Sequence, residues 1–105
     1  MTIVPDLLAD LLRTEPSLQL VVDEHLADNN ELFPHVLLGD VTRWVVEHAP
    51  ATHVLVALER HLSTGDEDVG NLIAVSFLEN LEPEDEVIRA ALPRRLAAQL
   101  AAMES

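Results

Sequence analysis

Apolar residues recur along this chain at intervals of three and four, broken by prolines and glycines at Pro5, Pro16, Pro34, Pro50, Gly65, Pro83 and Pro93. That spacing is the signature of short amphipathic helices separated by turns. Val4, Leu7, Leu8, Leu11 and Leu12 form a first stripe, and Leu18, Val21, Val22, His25 and Leu26 a second. Phe33, Val36, Leu37, Val41, Trp44, Val45 and His48 form a third, over about Glu31 to His48, with an interruption at Gly39-Asp40. Asp40 falls on the apolar face. The expected reason is that it caps a new helix or a kink by accepting a backbone N–H from the following turn, rather than serving in a buried pair or a partner contact.

A fourth helix is expected over Ala51–Leu62, with Val54, Leu55, Leu58, His61 and Leu62 inward and Ser63-Thr64-Gly65 ending it. Thr64 or Asp66 then caps a fifth, from about Asp66 to Leu81, which is apolar nearly all round and so reads as the central element. Within it, Ser76 is expected to bond back to a backbone carbonyl, and Asn71 to be a structural hydrogen-bonding residue. Glu82-Pro83-Glu84-Asp85-Glu86 reads as a turn and an acidic helix start. Val87, Ile88, Ala91 and Leu92 supply a short stripe, Pro93 breaks or restarts the helix, and Leu96, Ala97, Leu100 and Met103 line a last one. Val54-Leu55-Val56 is β-prone, but its surroundings favour a helix. The expected fold is all-α: one domain over residues 1–105, a compact bundle of six or seven short helices or a HEAT-like stack of helical hairpins.

Charge changes this picture from fold to function. The chain has 19 acidic residues, six arginines and no lysine, a formal charge of −13. No basic residue other than histidine occurs from Thr14 to Thr42, which hold six carboxylates, or from His61 to Ile88, which hold eight. A charge run is usually a solvated face, but two stretches this long point to a positively charged protein partner. The candidate partner-binding residues are first Asp66, Glu67, Asp68, Glu79, Glu82, Glu84, Asp85 and Glu86, and second Asp23, Glu24, Asp28 and Glu31. The same charge argues against direct binding of nucleic acid or of an anionic membrane.

Little in the sequence points to catalysis. There is no cysteine, so disulfides, thiolate metal sites and cysteine chemistry are excluded. His25, His35, His48, His53 and His61 sit in no metal-ligand motif, and the serines have no nucleophile-elbow context. The adjacent carboxylates at 84–86 are explained by a helix start. No enzyme activity, metal or cofactor is expected. No run approaches the roughly 20 apolar residues that span a bilayer. Asp6 and Asp10 interrupt the first apolar stretch, which has no basic flank, so no signal peptide is expected and the chain reads as cytoplasmic.

The segments Asp68-Val-Gly-Asn-Leu-Ile-Ala-Val-Ser-Phe-Leu-Glu-Asn-Leu81 and Leu32-Phe-Pro-His-Val-Leu-Leu-Gly-Asp40 resemble those of small, acidic, all-helical bacterial immunity proteins of polymorphic or contact-dependent toxin systems. The resemblance implies a protein that binds and neutralises one cognate toxin, and the acidic surface adds the expectation that the toxin is basic. It transfers no site residue, because such proteins differ most at the toxin-binding surface. Two other functions use the same features: a nucleic-acid-mimicking inhibitor of a phage-defence enzyme, and a helical adaptor that holds a peptide in a hairpin groove.

Overall fold

In the computed structural model, which describes residues 4–64 and 66–104, with side chains from Asp6 onward, the chain forms α1 (Val4–Thr14), α2 (Leu18–Asn29), α3 (Pro34–Glu47), α4 (Thr52–Leu62), α5 (Glu67–Ser76), a 3-10 turn (Leu78–Asn80), α6 (Glu86–Ala91) and α7 (Arg94–Glu104). The expected inward side chain of Val4 and the helix-ending role of Gly65 lie outside what is described. Among the described residues there is no strand, and Val54-Leu55-Val56 is helical. The protein is an all-α bundle of short helices.

The boundaries follow from local chemistry. Pro34 takes the first position of α3, where its missing N–H costs nothing, and holds Phe33 extended ahead of it. Pro93 likewise holds Leu92 extended and separates α6 from α7. Asn30 closes α2 in the left-handed conformation that asparagine tolerates, its N–H donating to the Leu26 carbonyl at 2.8 Å. Of the two expected caps for α5, Asp66 does the work: its carboxylate accepts the Val69 N–H at 3.0 Å, while Glu67 and Asp68 occupy the first turn.

One hydrophobic cluster joins the helices. Leu7 and Leu11 of α1, Leu18 of α2, Leu38, Val41 and Val45 of α3, Val54, Leu55 and Leu58 of α4, Val69, Leu72 and Ile73 of α5, Phe77 and Leu78 after it, Ile88 of α6, and Leu96 and Leu100 of α7 are all buried in it. Helix α3 packs on α2 and α5, and α4 on α1, α5 and α7. The radius of gyration, 12.8 Å, agrees with the roughly 13 Å expected of a compact chain this long.

Several expectations need correction. Helix α3 runs unbroken through Gly39-Asp40 and starts at Pro34, so Asp40 caps nothing. It lies in mid-helix and pairs with Arg43 on the same helix. The fifth helix does not reach Leu81: it ends at Ser76, and a single 3-10 turn continues the chain. Leu26, Phe33, Val36, His48 and Met103 were expected inward but are exposed. The stripes assigned to α2 and α3 are wider than the faces these helices bury. Ser76 is buried as expected of the central helix, yet its hydroxyl meets Nδ1 of His35 rather than a carbonyl. Asn71 is exposed.

Candidate functional site

The nineteen acids divide into those engaged in holding the fold and those left facing solvent. Asp10, only 8% exposed, takes hydrogen bonds from Arg60 at 2.8 Å and His61 at 3.0 Å, and also pairs with Arg13. Burial opposes its ionised form, but the bonds from Arg60 and His61 and the charges of Arg60 and Arg13 outweigh it, so the carboxyl sits below its ordinary value of 3.8. Glu15 bonds His53 at 2.6 Å and the Ser17 N–H at 3.1 Å, and these bonds hold it below its ordinary 4.5. Glu59 of α4 accepts the N–H groups of both Arg95 and Leu96 at 3.0 Å and so caps α7 from another helix. Glu104 binds Arg89 at 2.6 Å and raises the pKa of that guanidinium.

Three of the twelve candidate residues belong to this structural group: Asp66 caps α5, Asp85 accepts the Glu82 N–H at 2.8 Å, and Asp23 accepts from Gln19 at 2.9 Å. The side chains of Glu24, Asp28, Glu31, Glu67, Asp68, Glu79, Glu82, Glu84 and Glu86 are exposed and make no hydrogen bond or ion pair with any described residue.

Two clefts gather part of this set. The larger, about 520 Å³, lies between α2 and α3. Helix α2 with its N-cap contributes Ser17, Leu20, Val21, Glu24, His25 and Asp28, one face at helical spacing; α3 with its C-cap contributes Asp40, Arg43, Trp44, Glu47 and His48, another. The second, about 420 Å³, lies on the other side of α3 and is lined by Gly39, Thr42, Arg43, Val46, Glu47, Asn80, Glu82 and Asp85. Arg43 and Glu47 belong to both, so the clefts form one face with α3 as its ridge.

The two base-free stretches of sequence therefore meet at α3. Glu24 and Asp28 come from one, Glu82 and Asp85 from the other, and Asp40 and Glu47 stand between them. Arg43, the one arginine lining the clefts, is held by Asp40. Asp66, Glu67, Asp68, Asp23, Glu31, Glu79, Glu84 and Glu86 line neither cleft.

The walls of the larger cleft are fixed by buried polar contacts. His25, 2% exposed, accepts the Phe33 N–H through Nε2 at 2.9 Å, tying α2 to the start of α3. Since Nε2 accepts, the neutral ring carries its hydrogen on Nδ1, which lies 3.8 Å from Oδ2 of Asp40. Thr42 donates to the Leu38 carbonyl at 2.8 Å and sits close to the carbonyls of Ser76 and Phe77, where α3 meets α5. The Trp44 and His48 rings stack with centroids 4.1 Å apart and planes 14° from parallel.

Sequence reasoning did not find Asp40, Arg43, Trp44, Glu47 or His48 as members of a site. Their spacing carries the signal, since all five share one helical face, but only if Gly39 leaves the helix intact. Reading a break there hid them. Among the described residues, no three histidine, aspartate or glutamate side chains converge as metal ligands would. Among the same residues, no helix is long and apolar enough to cross a membrane.

No curated protein sequence and no solved structure matches the chain. A family model matches residues 8–104, from the second turn of α1 to the end of α7, and the chain belongs to that family, described as Domain of unknown function (DUF7674).

Proposed function

We propose that this protein binds a basic protein partner through the face formed by α2, α3 and the segment Glu82–Asp85, as a stoichiometric inhibitor of the immunity-protein kind. One observation carries the reading: carboxylates from both base-free stretches line two adjoining clefts along α3, the larger of which holds Trp44. A charged rim steers an oppositely charged partner and speeds encounter. A half-buried tryptophan inside that rim is the residue type that anchors interfaces once water is excluded. A toxin whose own active site holds phosphate groups presents the complementary basic surface, and fast capture suits an inhibitor that must act as its target is made.

The experiment is capture from the native cell on tagged, full-length protein at low salt, followed by mass spectrometry. A single stoichiometric partner with a basic surface, whose association slows as salt rises, is the expected result. No partner, or a scatter of salt-sensitive ones, would make the acidic face a solvated surface and overturn the proposal.

A further inference from the structure

The larger cleft has a mixed lining that selects among cations. Val21 and Trp44 pack against the core and line the cleft from within, and Leu20 stands 67% exposed beside them. Around this apolar surface, Glu24 and Asp28 of α2 and Glu47 of α3 present carboxylates that bond to no described residue. Arg43 is already engaged by Asp40 and leaves those three charges uncompensated.

The Trp44–His48 stack adds a flat aromatic element. Nδ1 of His48 lies 2.8 Å from the Trp44 carbonyl oxygen, which only accepts, so Nδ1 carries the hydrogen and Nε2 of the neutral ring is left as an acceptor. The cleft thus offers several separated acceptors beside a planar aromatic surface, in a volume of about 520 Å³. That is within the roughly 300–1,000 Å³ of ordinary ligand sites and enough for one long side chain with the backbone that bears it.

A guanidinium group matches this lining. It is planar, carries donors on three nitrogens in a fixed fork, and stacks on aromatic faces while bonding carboxylates at its edge. A lysine ammonium supplies the charge without the plane or the fork. We propose that the cleft between α2 and α3 receives an arginine side chain of the protein partner, with Glu24, Asp28 and Glu47 taking its N–H groups and the Trp44–His48 stack its face. This inference rests on the acidic-face reading above and names the group that the face selects.

Trp44 is the sole tryptophan, so its emission reports on the cleft directly. The test titrates the full-length protein at low salt with dye-labelled, capped tetra-arginine and, separately, tetra-lysine, reading Trp44 emission and peptide anisotropy together. The expected result is a saturable change in emission with tetra-arginine, which binds about fivefold or more tighter than tetra-lysine. A Glu24→Gln/Asp28→Asn/Glu47→Gln protein with an unchanged melting curve should lose about tenfold in affinity, because three charge contacts are removed.

Anisotropy that rises while Trp44 stays silent, or equal binding by the neutralised protein, would overturn the cleft assignment and leave the acidic-face reading standing. Equal affinity for the two peptides would overturn the choice of arginine. No binding of either peptide by either signal would overturn both readings. If the triple variant does not fold, the single variants Glu24→Gln and Glu47→Gln, on opposing helices, carry the same test; each should weaken tetra-arginine binding, and no loss in either refutes the site.

Discussion

Oδ2 of Asp10 lies 2.8 Å from a guanidinium nitrogen of Arg60, which ties a nearly buried carboxylate on α1 to α4 across fifty positions of sequence. Removing that carboxylate leaves Arg60 and His61 without their shared partner beside the core. Asp10→Ala should therefore lower stability by about 1–3 kcal/mol, at the modest end because Arg60 is half exposed. The effect has a defined pH dependence. The folded state depresses the Asp10 pKa, so the stabilisation is fully present above the ordinary value of 3.8 and is lost as pH falls below it through the folded-state value. Urea melts of the parent and of Asp10→Asn should differ at pH 7 and converge as pH falls below 3.8 through the folded-state value; a gap that persists in acid would mean that the charge of Asp10 is not what matters.

Helix α7 starts with two arginines, the wrong charge for a helix N-terminus, and is rescued by Glu59, which takes the Arg95 and Leu96 N–H groups. Loss of a cap costs about 0.5–2 kcal/mol. Glu59→Ala should fall in that range, and Glu59→Gln, which keeps one carbonyl acceptor, should cost less. Hydrogen exchange is the direct check: protection should drop at the amides of residues 95–98 more than in α3.

Gly39 sits inside α3, and a Cβ added there would meet Asn80 Nδ2 at an ordinary contact distance of 3.6 Å. Alanine is better than glycine in a helix interior by about 1 kcal/mol. Gly39→Ala is expected to raise the thermal midpoint by a few degrees. A fall would indicate that the helix needs to bend at this point.

Charge reversal distinguishes the acidic patches. Glu24→Arg with Asp28→Arg, and separately Glu47→Arg with Glu82→Arg, alter the face around α3. Each pair should slow association with the captured partner by about tenfold or more, most strongly at low salt. Glu67→Arg with Asp68→Arg alters the first turn of α5, outside both clefts, and should act more weakly. Equal slowing by all three pairs would show that net charge, rather than this face, governs encounter.

Most of the helices were legible in the sequence because their stripes and breaks are local: Pro34 and Pro93 mark helix starts, and Asp66 caps α5 through a residue three positions away. Gly39 misled because glycine is a breaker only on average; here Leu38, Val41 and Val45 on one side of α3 are held in the core strongly enough to carry the helix through it. The end of α5 at Ser76 was illegible for the opposite reason. Its apolar run continues to Leu81, and only packing decides that Phe77 and Leu78 enter the core from a 3-10 turn.

The sequence by itself determined that the chain is helical, with a Leu- and Val-rich core and far more carboxylates than six arginines can neutralise, since periodicity and composition are properties of the chain. The tertiary structure decided which carboxylates are consumed by the fold and which are left over. Asp10 and Glu59 find their partners 50 and 36 positions away, and Glu24 and Glu82 come to flank the same helix from opposite sides. Those relationships depend on how helices pack, and no local pattern of residues encodes the distance between two side chains on different helices.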